Sequence, residues 1–329
     1  MVLNPDSENI GLLKKLYYDI LRIRLVEEKL ADWYTSGLIK APVHLSIGQE
    51  AVAVGVMAAL SPEDKIVSTH RCHGHYLAKG GDLKKMIAEI AGRKTGCCGG
   101  RGGTMHLFDN SVGHVISAPL VGASISFAVG LALSFKMRNE DKVAVAFFGD
   151  GAVEEGIFWE SLNFASVHRL PVIFVCENNL YATHSPILRR QPYDEIISRV
   201  KPHKFSVVRV DGNDILVVLA SANAAVKMAK SGYPCFIEAR TYRIKEHWGV
   251  GEDWNLGYRS REECEVWIKY CPLKNLYRKL EKHSSNREFL NSKITELEQS
   301  VKTEVDEAAE IALSSPSPTE KDLFAGEEI

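Results

Sequence analysis

No apolar run in this chain of 329 residues approaches the ~20 residues a helix needs to cross a bilayer. Charge of one sign is missing as well. The 40 Lys and Arg against 42 Asp and Glu leave a net charge of −2, which gives no electrostatic footprint for nucleic acid or an anionic membrane. The opening MVLNPDSENIG is polar and acidic, which predicts neither a signal peptide nor an Arg-rich transit peptide. The 7 cysteines include the neighbours Cys97 and Cys98 but no CxxC pair. Reduced thiols in a cytoplasmic protein are therefore expected, rather than disulfides or zinc. The glycine-rich stretch GRKTGCCGGRGGTMHLFD, residues 92–109, lacks the GK[ST] of a nucleotide P-loop. No internal repeat is found. What is left is a chain long enough to bury a large core, as one α/β domain or two small ones.

The text that organises the rest is VAVAFFGDGAVEEGIFWESLNFASVHRLPVIFVCENNLY, residues 143–181. Its apolar run 143–148 is short enough for a buried strand and too short for a buried helix. Gly149-Asp150-Gly151 breaks the run, and glycine permits a tight turn there. Phe158, Leu162, Ala165 and Val167 then recur at roughly helical spacing before Pro171 and a second apolar run, 172–176. The unit reads strand–helix–strand, in which ligands sit at the carboxyl ends of the strands. Asp150 and Asn179 both fall there. One carboxylate and one amide oxygen are too few for calcium but suit magnesium, which completes its octahedron with waters and phosphates. The adjacent helix start offers N–H groups to a diphosphate. A Gly-Asp-Gly alone reads as a turn; the Asn-Asn closing the next strand points to the metal.

GDG followed by about thirty residues and NN resembles the signature of thiamine-diphosphate (ThDP) enzymes. The wider text resembles the alpha subunit of 2-oxo-acid dehydrogenases, the decarboxylase components for pyruvate, branched-chain acids and acetoin. This resemblance runs from about Leu12 to Phe324. It implies a transketolase-like α/β fold, a parallel sheet with helices on both faces, plus N- and C-terminal helical arms. It also implies that Asp150, Asn179 and the carbonyl of Tyr181 ligate Mg2+, and that Gly151 and Ala152 meet the diphosphate. Further matches follow from the same family. Arg71 corresponds to a diphosphate-binding Arg, His70 stands in place of its neighbouring Tyr, and His73 corresponds to a histidine at the active-site entrance. Pro119, Val121 and Gly122 fall where backbone atoms hold the aminopyrimidine. His247 corresponds to a loop histidine that approaches the diphosphate. Trp248 occupies the place of the regulatory serine of mammalian members, so no phosphorylation is expected at that residue.

Taken in order, residues 10–36 carry one apolar stripe between charged faces and predict a helix. The Ala-rich run from Glu50 predicts a buried helix, with Gln49 and Glu50 structural. Residues 65–71 read as a strand delivering His70-Arg71-Cys72-His73-Gly74-His75, where alternation would scatter a zinc set. The Gly92–Asp109 stretch matches a family loop beside the active site, with His106 structural. Residues 119–136 predict a helix packed on all sides. Strands are expected at 207–210 and 236–239 around a helix at 215–230, which implies a parallel sheet covered on both faces. The loop at 244–258 departs from the family pattern. Its Trp248, Trp254 and Tyr258 leave two readings open, a lid over a distinct substrate pocket or packing against a partner. Leu290, Ile294, Leu297, Val301, Val305, Ala308 and Ala312 mark one face of a long helix that the Ser/Pro run at 314–318 stops, followed by an acidic tail. The expected organisation is an arm (1–40), a diphosphate-binding domain (41–285), and a C-terminal helix and tail (286–329).

The resemblance implies oxidative decarboxylation of a 2-oxo acid, or cleavage of acetoin, with the acyl group passed to a lipoyl acyltransferase. The other readings are a carboligase or similar non-lipoyl ThDP enzyme and a cofactor-free structural subunit. The chain has no second set of alternating strands for a pyrimidine-binding domain. A beta subunit supplying the activating Glu in an α2β2 heterotetramer is therefore expected.

Overall fold

The two apolar runs of the central text form adjacent parallel strands, paired from Ala144↔Val172 to Gly149↔Glu177. Both are buried almost throughout. This is why they read as continuous apolar runs: a sheet covered on both faces has no solvent side on which to alternate. The protein, represented here by a computed structural model, is described over residues 7–284 and 286–323. The polar start before residue 7 and the end of the acidic tail beyond residue 323 lie outside the described residues.

In chain order the helices and strands are α1 (Ser7–Thr35), α2 (Glu50–Met57), β1 (Lys65–Thr69), α3 (His73–Ala78), α4 (Leu83–Ile90), β2 (His114–Ala118) and α5 (Ala123–Met137). There follow β3 (Ala144–Gly149), α6 (Gly156–Val167), β4 (Val172–Asn178), the short β5 (Tyr181–Ala182) and β6 (Ser185–Pro186), α7 (Ile187–Arg190) and α8 (Ile196–Val200). The last are β7 (Ser206–Asp211), α9 (Ile215–Lys230), β8 (Cys235–Arg240), α10 (Arg261–Lys269), α11 (Pro272–His283), α12 (Arg287–Ser314) and α13 (Glu320–Leu323). Six strands form one sheet in the order β2-β1-β3-β4-β8-β7, and every pairing in it is parallel. The fold is α/β. No helix among the described residues is long and apolar enough to cross a membrane.

Side chains on the strands separate by parity. Ala144, Ala146 and Phe148 pack with Phe174 and Cys176 under α5 and α6. Val143, Val145 and Phe147 pack with Val175 and Ile237 under α2 and α9. A further apolar cluster joins α1, α3, α4, α11 and α12. The expected face of α12 contributes Leu290, Val301, Val305, Ala308 and Ala312 to it, with Ile294 and Leu297 packed at its margin.

Four details differ from the sequence expectation. Helix α5, expected to be packed on all sides, is buried along one face and leaves Phe127 and Met137 exposed. The strand expected to reach Arg71 ends at Thr69. There Thr69 Oγ1 accepts from the Arg71 N–H at 3.1 Å and turns the chain into α3. The edge strand β2 was not anticipated, because HVISA sets polar and apolar residues together and is only partly buried. The polar stretch after residue 186 contains α7 and α8, each held by one or two buried apolar residues, Ile187 in the first and Ile196 and Val200 in the second.

Close approach of α2 and α9 depends on Gly55. A Cβ there would lie 2.7 Å from Val218 Cγ1 and 2.9 Å from Val218 Cβ, and a β-branched side chain on a helix cannot rotate away. Overpacking of about 1–3 kcal/mol outweighs the helix propensity of about 1 kcal/mol that Ala gains over Gly. Gly55→Ala is expected to lower the urea midpoint of unfolding; an unchanged or higher midpoint would refute this packing.

Candidate functional site

Strand β2 is added outside β1, and the chain then returns to the other side of β1 with β3. At such a reversal the loops leaving the carboxyl ends of neighbouring strands diverge and open a crevice. A cavity of about 420 Å³ lies there. It is lined by His70 and Arg71 after β1, Pro119, Val121 and Gly122 after β2, Asp150, Gly151 and Ala152 after β3, Asn179 and Tyr181 after β4, and His247 after β8. The sequence-expected residues thus converge from five strand ends, with His73 the exception.

One side of the cavity carries oxygen donors. Asp150 is buried, and burial raises its carboxyl above the usual range while the Arg190 guanidinium opposes the rise. Arg190 donates to Asp150 and to Glu154 Oε1 at 2.5 Å. Asn179 is oriented at both ends of its amide: Nδ2 donates to Gln49 Oε1 at 2.9 Å, and Oδ1 accepts from the Tyr181 N–H at 3.2 Å. The Tyr181 hydroxyl turns away from the cavity to Glu263, at 2.9 Å from Oε2. Gly151 allows the turn to meet β5, since a Cβ there would stand 2.8 Å from Ala182 Cβ.

The other side carries nitrogen donors. Arg71 is buried and gives its guanidinium to the Leu45 carbonyl and to the His247 carbonyl at 3.0 Å. Burial, and then the charge of Arg243, lower it to about 9. His44, His70 and His247 stand together, with ring centroids 4.7, 5.3 and 5.5 Å apart. Their ring nitrogens lie within 4.8 Å of one another, and His44 Nδ1 is buried without a partner. Burial first and Arg71 second hold His44 at about 2, His70 at about 3 and His247 at about 3. Neutral rings beside a fixed guanidinium present N–H donors to an anion, and the Arg71 charge disfavours a cation at the same spot.

The zinc set considered for residues 70–75 disperses. His70 faces the cavity, Cys72 donates to the Thr104 carbonyl, and His75 turns to Ser68 and Glu177. His73 is also placed elsewhere than at an entrance. It is fully buried, with Nδ1 3.2 Å from Glu27 Oε2 and Nε2 3.0 Å from the Thr104 carbonyl. Burial would raise Glu27, but His73 and the Ser46 hydrogen bonds outweigh it and lower the carboxyl. His73 is therefore held in the core and does not line the cavity. The loop aromatics Trp248, Trp254 and Tyr258 do not line this cavity. Trp254 and Tyr258 pack on Tyr181, Tyr242 and Cys264, while Trp248 is exposed. Arg243 and Arg259 both pair with buried Asp253, which fastens the loop to itself. Sequence reasoning missed His44 and Arg190 and gave Gln49 only a structural role. His44 opens the stretch HLSIGQEA that leads into α2, but no spacing tells that it meets His70.

A family model described as dehydrogenase E1 component matches residues 18–321. The chain is 38% identical over 310 residues to the alpha subunit of acetoin:2,6-dichlorophenolindophenol oxidoreductase from Bacillus subtilis (strain 168), covering 94% of this chain and 91% of that one. It is 36% identical over 315 residues to the pyruvate dehydrogenase E1 component subunit alpha of Zymomonas mobilis, with 95% and 87% covered. The subunit of the same name from Rhizobium meliloti (strain 1021) is 34% identical over 312 residues, with 94% and 88% covered.

The depressed histidines make a pH prediction. Their folded values lie below the unfolded 6.5, so below that pH the unfolded chain takes up protons that the folded chain refuses. Their contribution is full above about 6.5 and is lost as pH falls toward about 3. Arg71 faces all three, and Arg243 and His184 add to the field at His247. Replacing one ring by His70→Tyr is expected to shrink the drop in denaturation midpoint between pH 7 and pH 5. An equal or larger drop in the variant would contradict the assignment.

Proposed function

We infer the function from one premise: the chain belongs to the dehydrogenase E1 component family. It is an alpha subunit of a ThDP-dependent oxidoreductase that decarboxylates a 2-oxo acid or cleaves acetoin, and it works with a beta subunit. What carries the reading into this chain is one observation: oxygen donors and a buried guanidinium with three neutral imidazoles face one another across a single cavity. A diphosphate needs N–H donors and a magnesium ion needs hard oxygens. The two sides fit that pair of demands.

In the proposed arrangement Asp150, Asn179 and the Tyr181 carbonyl hold Mg2+, and Gln49 fixes the Asn179 amide with its oxygen turned inward. Arg190 must release Asp150 for the ion to enter. Gly151 and Ala152 bring the backbone close to the diphosphate, and Arg71, His70 and His247 donate to its oxygens. Pro119, Val121 and Gly122 border the aminopyrimidine end. Bound ThDP supplies the carbon nucleophile that attacks the substrate carbonyl and accepts the electron pair of the cleaved bond. His247 lies on the loop after β8 and is the residue of this chain best placed to exchange a proton near the diphosphate. A lipoyl acyltransferase is the proposed acceptor of the acyl group, and a cytoplasmic setting is proposed on the free state of all seven thiols.

The proposed partner surface adjoins the cavity. Leu120 (75% exposed), Val121 (50%) and Phe127 (49%) lie bare where α5 begins, and Leu120 and Val121 line the cavity. Apolar exposure of this kind marks an interface. We place the beta subunit there, contributing the activating Glu within hydrogen-bond reach, in a closed α2β2 assembly.

Two measurements test these proposals. Asp150→Asn is expected to weaken ThDP binding in the presence of Mg2+ at least about tenfold, the loss usual when a metal-site contact is removed. Arg190→Gln should instead lower the Mg2+ concentration required. Calorimetry decides this, and unchanged ThDP affinity in Asp150→Asn sinks the metal assignment. The chain alone, supplied with ThDP, Mg2+, pyruvate or acetoin and 2,6-dichlorophenolindophenol, is expected to give no turnover until the beta subunit is added. Robust turnover by a verified lone chain would refute a site completed in trans.

A further inference from the structure

Cys97 and Cys98 take no part in the site described above, yet they differ from the other thiols. Cys72, Cys176, Cys235, Cys264 and Cys271 are buried, while Cys97 and Cys98 are partly exposed. Their sulfurs lie 3.8 Å apart. The Cys98 thiol beside it lowers the Cys97 thiol below its ordinary value, and the same contact raises Cys98. One member of the pair is thus the better nucleophile and the other a held thiol.

The loop around them is fixed by one carboxylate. Glu89 of α4 is fully buried and accepts from the backbone N–H of Cys98 at 2.7 Å, Gly100 at 2.8 Å, Gly102 at 2.6 Å and Gly103 at 3.3 Å. The next residues reach the cofactor cavity. Thr104 Oγ1 donates to the Pro42 carbonyl, the Thr104 carbonyl meets His73 Nε2 at 3.0 Å, and Met105 lines the cavity.

We propose that Cys97 and Cys98 form a reversible dithiol modification site for low-molecular-weight disulfides, and that its oxidation state sets the seating of residues 98–105 against the cavity. In the first step the Cys97 thiolate attacks one sulfur of the external disulfide. That S–S bond breaks, and half of the reagent leaves as a thiolate that takes up the Cys97 proton. Cys98 then attacks the Cys97 sulfur, the second half leaves as a thiol carrying the Cys98 proton, and a Cys97–Cys98 bond closes. Two protein thiols lose two electrons, and one disulfide becomes two thiols.

Geometry makes this closure both reversible and consequential. A trans peptide holds neighbouring Cα atoms at about 3.8 Å, short of the roughly 4.4–6.8 Å a relaxed disulfide spans. Closing an eight-membered ring across that bond therefore twists the connecting peptide from its planar trans form, and strained disulfides of this kind are the labile ones. The N–H of that same peptide is the Cys98 donor to Glu89 at 2.7 Å. The twist withdraws it from a fully buried carboxylate, which does not tolerate a lost donor. The loop must then reseat, and Met105 moves with it. The dithiol chemistry stands on the loop alone; only its effect on ThDP rests on the function inferred above.

The test uses the full chain, alone and with its beta subunit, treated with glutathione disulfide. Mass spectrometry of the peptide spanning residues 97 and 98 is expected to find both thiols lost without added mass, a change reversed by dithiothreitol. Cys98→Ser should stop at a glutathione adduct on Cys97. Hydrogen exchange across residues 98–105 should rise in the oxidised chain, and its ThDP affinity should fall about tenfold, the scale of an ordinary coupling between sites. No reaction, or two independent adducts, would overturn the site. A closed disulfide with unchanged exchange, or raised exchange with unchanged ThDP affinity, would overturn its coupling to the cavity. Should the untreated chain bind no ThDP, the functional reading fails, while the mass and exchange measurements still judge the dithiol.

Discussion

A parallel sheet buried on both faces leaves one productive place for polar chemistry, the carboxyl ends of its strands. In this protein the two faces are filled by separate apolar clusters under α5 and α6 and under α2 and α9, so a polar side chain in mid-strand would be stranded between them. The loops at the strand ends carry no such restriction. Reversal of strand order between β1 and β3 then opens the crevice that all five contributing loops share. The site follows from the sheet, and the sheet from the runs of small and branched apolar residues at 143–148 and 172–176.

Within that crevice the electrostatics divide into two halves of opposite character. Arg71 is fully desolvated, and among the groups acting on it Arg243 repels while Glu177 and Glu27 attract. Its guanidinium is satisfied by carbonyls rather than by a carboxylate, which leaves its charge uncancelled toward the cavity. The three histidines are kept neutral by the same burial and the same charge. Opposite them Asp150 is neutralised by Arg190. A guest that brings an anion and a dication together satisfies both halves at once. An anion alone would leave Asp150 with Arg190, and a cation alone would meet Arg71.

Residues that sit on a strand end or a periodic face were legible in the sequence. Asp150 and Asn179 announced themselves because each closes an apolar run, and α9 was bounded at Ile215 and Lys230 by its own periodicity. The α12 face was readable for the same reason. Side chains whose role depends on a tertiary neighbour were not legible. His73 followed a family pattern to the cavity, yet Glu27 on α1 draws it into the core, a contact 46 residues distant that no local spacing encodes. His44 and Gln49 reach the cavity from the segment before α2, and Arg190 reaches Asp150 from the short helix α7, where nothing periodic marks them. The aromatic residues of the 244–258 loop read equally as a lid or as a partner contact, and two of the three serve a small apolar cluster of their own.

Buried glutamates explain why the helical periphery belongs to the site and is not merely attached to it. Glu27 of α1 accepts from Ser46 N and Oγ at 2.9 and 2.6 Å and pairs with His73. Glu50 of α2 pairs with Arg24 of α1 at 2.6 Å and accepts from the Gly48 N–H at 3.0 Å. Glu89 of α4 gathers the glycine loop. Each carboxylate is fully buried, and a buried charge persists only where every partner is held in place. Together they fix residues 44–49, 73 and 98–105, the segments that supply His44, Gln49 and Met105 to the cavity wall. An apolar side chain in place of any of these carboxylates could fill the volume, but it could not orient backbone N–H groups from a loop of five glycines. Beyond Cys97 and Cys98 the loop has few side chains to choose one conformation, so the carboxylate chooses it. The arm and the outer helices therefore act as the second support of the site, as necessary to its shape as the sheet beneath it.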